Sequence, residues 1–320
     1  LKVAGQSKSE IRSTKFETIL NDQNSNDQNR RPLGFCFERW SICVLNSCPP
    51  RRVNFEFRIS CFEFEKGCRP HWEVQLEIRV LADADAVARE AALFIAEQAR
   101  EGVAAHGRFV VAFSGGHTPW QMLRALAGED VPWKNVHVMQ VDERIAPAGD
   151  PDRNLTHLRE SLLGRAPLRP EQIHAMPVEG SDLRTAATHY AKTLREIAGS
   201  PPVLDLVHLG LGPDGHTASL VPGDPVLDVT DADVAVTGVY QGRRRMTLTY
   251  PLINRSRRVL WLVTGAEKAD MLRRLQDGDQ SIPAGRVRHD RALGIADRAA
   301  ALLIPTHVDP KSNRGPSSSG

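Results

Sequence analysis

Hydrophobic and polar positions along the chain follow two periods in alternation. Residues 72–80 alternate apolar and polar as a half-buried strand does, whereas residues 84–105 repeat apolar positions at helical spacing. Residues 109–113 are a wholly apolar run that ends in Ser114-Gly115-Gly116, and Thr118 and Pro119 then open a helical stretch through residue 127. The same reading predicts further strands at 136–141, 204–211, 245–249 and 259–263. It predicts helices at 154–163, 183–197, 267–275 and after Asp297. Strands that are apolar on both faces and separated by helices imply an α/β fold with a mainly parallel sheet covered on both sides. Ligands of such sheets sit beyond the carboxyl ends of the strands. The chemistry is therefore expected in the loops at 114–118, 142–154 and 210–223.

Composition narrows this picture. The 320 residues are 41% hydrophobic and 25% charged, near the globular average, with a net charge of +2. That balance lacks the basic excess of a nucleic-acid binder, and no apolar run approaches the roughly 18 residues of a membrane span. The averages conceal an asymmetry. Residues 1–71 hold all five cysteines (Cys36, Cys43, Cys48, Cys61, Cys68), seven of the ten phenylalanines and one alanine, Ala4. They also contain the tetrapeptide Asn-Asp-Gln-Asn twice and Pro49-Pro50-Arg51-Arg52. This segment reads as a low-complexity, disordered leader without catalytic duty. Its eight acids argue against a transit peptide, and its odd cysteine count, without paired Cys-x-x-Cys spacing, argues against a zinc site or a complete disulfide set. Residues 72–305 read as the folded α/β domain and residues 306–320 as a disordered tail.

Each of the three loops carries candidate chemistry. Gly115 and Gly116 let the backbone approach a ligand closely, and free amides at the helix start, with the hydroxyls of Ser114 and Thr118, make a phosphate cradle. A Walker-type Gly-x-x-x-x-Gly-Lys-[Ser/Thr] is missing. Val141-Asp142-Glu143-Arg144 places acids and a guanidinium directly after a buried strand, where Arg144 can fork onto a carboxylate, a phosphate or a developing oxyanion. The alternative there is an exposed ion pair with no further role. The third loop, Gly210-Leu211-Gly212-Pro213-Asp214-Gly215-His216, formally matches Gly-x-Gly-x-x-Gly. Asp214 would set a negative charge against a pyrophosphate, and Pro222-Gly223 leaves little room for a long following helix, so a dinucleotide site is disfavoured. His216 is suited to proton transfer near neutral pH, and Asp214 either orients it or holds substrate. No His-Glu-x-x-His, Gly-x-Ser-x-Gly or cysteine nucleophile occurs after residue 71. General-base chemistry without a metal or a covalent intermediate is the reading that remains.

These motifs resemble the 6-phosphogluconolactonase family in order and approximate spacing: Ser114-Gly115-Gly116-His117-Thr118-Pro119, Asp142-Glu143-Arg144, the glycine-rich loop through His216 to Leu220, and Arg245-Met246-Thr247-Leu248-Thr249. The resemblance spans about residues 72–305. It implies a Rossmann-like fold shared with glucosamine-6-phosphate deaminase, and hydrolysis of 6-phosphoglucono-δ-lactone to 6-phosphogluconate with no cofactor and no metal. It implies His216 as general base, Asp142 and Arg144 as active-site acid and arginine, and Ser114, Gly115, Gly116 and Thr118 as the phosphate site. Arg245 and Lys268 would add cationic donors to that site. Two positions depart from the pattern: His117 and Arg153 stand where serine is frequent.

The resemblance leaves two rivals. Related deaminases usually carry a tyrosine after the Asp-Glu pair and Asn-Glu-Pro-Gly at the end of the histidine loop, where this chain has Arg144 and Leu220-Val221-Pro222-Gly223. A non-catalytic sugar-phosphate sensor would usually add a helix-turn-helix, and residues 1–71 offer no amphipathic helix pair. The expected partner is thus a small sugar-phosphate lactone, with no nucleic acid and no membrane. A monomer in the cytosol is expected, with plastid import as the alternative.

Overall fold

The computed structural model describes residues 75–305. The predicted leader, the first three positions of the predicted 72–80 strand and the predicted tail lie outside the described residues. Seven parallel strands form the main sheet in the order β1-β10-β9-β6-β2-β3-β5. They are β1 (Glu77–Leu81), β2 (Phe109–Phe113), β3 (Val136–Gln140), β5 (Ile173–His174), β6 (Leu206–Gly210), β9 (Arg258–Val263) and β10 (Ala292–Asp297). The apolar runs explain themselves by parity. Phe109, Val111 and Phe113 of β2 face one layer together with Leu260 and Leu262 of β9, packing against α1 (Ala84–His106) and α2 (His117–Leu126). Val110 and Ala112, with Val259, Trp261 and Val263, face the opposite layer, where α4 (Leu183–Ala198) and α5 (Ala269–Gln276) lie. Burial on both sides is why these strands read as continuous hydrophobic runs.

Four sequence expectations change. Asp142–Arg144, read as a loop, is a strand, β4, and residues 245–249, read with the main sheet, give β8 (Arg245–Leu248) in a separate antiparallel sheet of order β4-β8-β7 with β7 (Val234–Val236). A three-residue charged strand has no periodicity to reveal it; its existence depends on pairing Asp142 with Thr247 and Arg144 with Arg245. The helix expected after Asp297 is a run of turns, preceded by the unpredicted strand β10, whose Ala-Leu-Gly-Ile-Ala-Asp composition carries weak strand propensity. The predicted 154–163 helix begins as α3 (Asn154–Leu158) and continues as a wider π turn over Arg159–Leu163.

Candidate active site

A cleft of about 570 Å³ opens at the carboxyl edge of the main sheet, a volume suited to a sugar phosphate. The loops after β2, β6 and β9 line it, together with β4 and β8, so the residues singled out in the sequence converge there: Ser114, Gly115, Gly116 and Thr118; Asp142 and Arg144; His216, Arg245 and Lys268. Asp214 stands behind the His216 ring.

At one end, Gly116 caps α2 with φ of 121° and no side chain caps the helix, which leaves its first amides for a ligand. Ser114 Oγ is buried and has no hydrogen-bond partner among the described residues. Thr118 shares a 2.7 Å hydrogen bond with Thr264, on the loop that leads through Gly265 to Lys268. The exposed His117 packs edge-on against Trp120, which stacks on His157.

At the other end, His216 Nδ1 lies 2.5 Å from Asp214 Oδ1. With the carboxylate accepting the Nδ1 proton, Nε2 keeps a free lone pair. Burial alone would raise the Asp214 carboxyl, but its hydrogen bond to His216 and the charge of that ring hold it below the usual range. The backbone keeps this ring in place by default: a Cβ on Gly212 would stand 2.0 Å from His216 Nδ1, so only glycine permits the observed imidazole position. Ala218, in the turn just beyond, adopts φ of 51°, an uncommon conformation for a non-glycine residue.

Between the two ends sits a buried charge cluster. Asp142 Oδ2 accepts from Ser219 Oγ at 2.6 Å, which ties the histidine loop to β4. Burial pushes the Asp142 carboxyl up, while the Ser219 hydrogen bond and the charges of Arg144 and Arg245 pull it back. Arg144 Nη1 donates to Asn154 Oδ1 at 2.6 Å, and a Cβ on Gly115 would fall 1.9 Å from that oxygen. Arg245 is buried, with its guanidinium 4.9 Å from the centre of the Tyr240 ring. Sequence grouped Arg245 with the phosphate loop; its charged neighbours are Asp142, Arg144 and Asp214, at the histidine end.

Several contributors were not singled out in the sequence for the parts they play. Glu143, fully buried, accepts from the amides of Asn154 (2.8 Å) and Leu155 (2.9 Å) and so caps α3 from across the fold. Arg153, flagged only as a departure from serine, is itself buried and bridges Glu143 at 3.2 Å and Glu179 at 2.6 Å. Ser219 and Tyr240 also act on the site through Asp142 and Asp214. Among the described residues, no group of three or more His, Cys, Asp or Glu is placed to hold a metal ion, and no helix is long and apolar enough to cross a membrane.

A parallel sheet with a polar cleft at its carboxyl edge places the protein among α/β proteins that receive small ligands at strand ends. Within that class, residues 82–294 match the family described as glucosamine-6-phosphate isomerases/6-phosphogluconolactonase, and the chain belongs to this family. It is 37% identical over 200 residues to a 6-phosphogluconolactonase from Synechocystis, covering 61% of this chain and 83% of that relative. It is 36% identical over 243 residues to a 6-phosphogluconolactonase from Mycobacterium tuberculosis, covering 72% of this chain and 98% of the other. The solved structure of 6-phosphogluconolactonase from Thermotoga maritima superposes with a TM-score of 0.62 at 27% identity, covering 69% of this chain and 98% of that one.

Proposed function

We propose that the chain hydrolyses 6-phosphoglucono-δ-lactone to 6-phosphogluconate, a step of the oxidative pentose phosphate pathway, with His216 as general base. The observation that carries this reading is the joint placement of the uncapped α2 start and the Asp214-bound imidazole in one cleft. The substrate phosphate docks on Ser114, Gly115, Gly116 and Thr118, with Lys268 adding charge, and this handle sets the lactone carbonyl before His216. Nε2 removes a proton from water as its oxygen attacks C1. Arg144 and Arg245, held about Asp142, stabilise the oxyanion that forms. As the tetrahedral intermediate collapses, the C1 to ring-oxygen bond breaks and the imidazolium returns its proton to that oxygen. General-base assistance of this kind contributes about 10²–10⁴-fold. Residues 72–305 form the proposed catalytic unit.

Arg144 in place of the tyrosine of related deaminases favours hydrolysis over deamination. The test is to supply the full chain with the lactone, following 6-phosphogluconate by coupled oxidation, and separately with glucosamine 6-phosphate, following ammonia. Lactone opening well above the spontaneous rate, without ammonia, is expected. Ammonia release without lactone acceleration would establish the deaminase reading, and product binding without turnover the sensor reading.

A further inference from the structure

Behind the proposed base stands a tyrosine that belongs to none of the motifs. β7 and β8 are joined through a turn closed by Tyr240 and Arg243, whose backbones exchange hydrogen bonds of 2.9 and 3.3 Å. Gln241 (φ 51°) and Gly242 (φ 78°) are both left-handed, the two-residue turn that suits the twist of paired strands. This turn lifts the Tyr240 phenol to Asp214, where its hydroxyl donates to Oδ2 at 2.9 Å. The phenol oxygen is also 3.4 Å from His216 Nδ1, and the two rings meet edge to face at 5.4 Å. Because the Nδ1 proton is taken by Asp214 Oδ1, the phenol proton goes to Oδ2, and both carboxylate oxygens are fixed.

The hairpin is itself secured. Arg243 Nε donates to Asp152 Oδ2 at 2.9 Å and Nη2 donates to Asp150 Oδ2 at 3.1 Å, which clasps the turn to the segment after β4. Arg245 covers the Tyr240 ring and donates from Nη2 to Gln241 Oε1 at 3.1 Å. Asp214 needs such support, since its side chain is 35% exposed and lies in a loop where water would otherwise compete for the second oxygen.

We propose that Tyr240 is a positioning residue for His216, acting through Asp214: its hydroxyl pins Oδ2, which keeps Oδ1 on Nδ1 and the Nε2 lone pair directed at substrate. This rests on the reading of His216 as general base. The charged neighbours of the Tyr240–Asp214 pair are His216, from the same loop, and Arg245, from β8. Burial and the hydrogen bond to Asp214 raise the phenol above its ordinary value, so it remains a donor throughout the working range.

The experiment compares Tyr240→Phe, Asp214→Asn, their double variant and His216→Ala by lactone kinetics across pH, with melting temperature as the folding control. Tyr240→Phe is expected to lower kcat about tenfold, a fraction of the general-base contribution, with KM within about twofold. Its acid limb should move to higher pH, because Asp214 stripped of one donor stabilises the imidazolium more strongly. In the Asp214→Asn background the Tyr240→Phe loss should vanish. An unchanged kcat and pH profile, an effect confined to KM, or an equal loss with Asp214 already replaced would each overturn the proposal. A full rate in His216→Ala would overturn the general-base reading itself, a separate outcome.

Discussion

Replacing Gly212 by alanine adds one methyl group, and its cost follows from the distances around His216. The new Cβ would lie 2.0 Å from Nδ1 and 2.2 Å from Cε1, against an ordinary van der Waals contact of 3.4 Å or more. The ring must therefore retreat by roughly 1.4 Å, which breaks its 2.5 Å contact with Asp214. Gly212 is not among the residues with positive φ, so the backbone tolerates alanine and the conflict is with the imidazole. A misplacement of about 1 Å at a reacting group costs on the order of 10²-fold, and complete loss of general-base assistance about 10²–10⁴-fold. Gly212→Ala should thus lower kcat by at least about 10²-fold while leaving the phosphate cradle intact. Steady-state lactone kinetics, corrected for spontaneous opening, together with calorimetric titration of 6-phosphogluconate, separate the two effects. A variant that turns over at the wild-type rate would refute the assignment of His216, because no catalytic imidazole can hold its place against that methyl group.

Lys268→Ala should raise KM by about tenfold or more with kcat little changed, as expected for loss of one charge-assisted contact to phosphate; steady-state kinetics read the split, and an unchanged KM would remove Lys268 from the phosphate site. Arg153→Ala leaves the buried Glu143 without its ion-pair partner and should cost about 3–5 kcal/mol in equilibrium denaturation; a loss under about 1 kcal/mol would show that Glu143 does not depend on it. Acid should weaken the fold through buried imidazoles. Burial lowers His208 to about 3 and, with the charge of His137, His174 to about 4, so between those values and about 6.5 the unfolded chain binds the extra protons and stability falls as pH falls. The slope is at most about 1.4 kcal/mol per pH unit for each ring, and denaturation at pH 7 and pH 5 should show a smaller loss in His208→Leu than in the parent; equal losses would contradict this origin.

The parts of the site that could be read in advance are those whose chemistry is local. The run at Phe109–Phe113 followed by glycines specifies a buried strand meeting a helix, and Asp214 and His216 share one loop, so their partnership needs no tertiary information. The arginines, Ser219 and Tyr240 depend on the small antiparallel sheet, in which the β7–β8 hairpin pairs with the distant strand β4, three residues long and made of charged residues. Arg245 shows the consequence. The resemblance implied a place for it at the phosphate site, and only its pairing across from Arg144 reveals that Asp142 is its neighbour. Arg153 is hidden for a different reason, since a charged residue reads as surface until its two carboxylate partners, one of them ten positions earlier, are seen around it.

The central claim, that His216 is the general base of a lactone hydrolase, is tested most directly by His216→Ala. The rate of 6-phosphoglucono-δ-lactone opening should fall toward the uncatalysed rate, by about 10²–10⁴-fold, while the affinity for 6-phosphogluconate stays within a fewfold of the parent. An unaltered turnover in that variant would contradict the account.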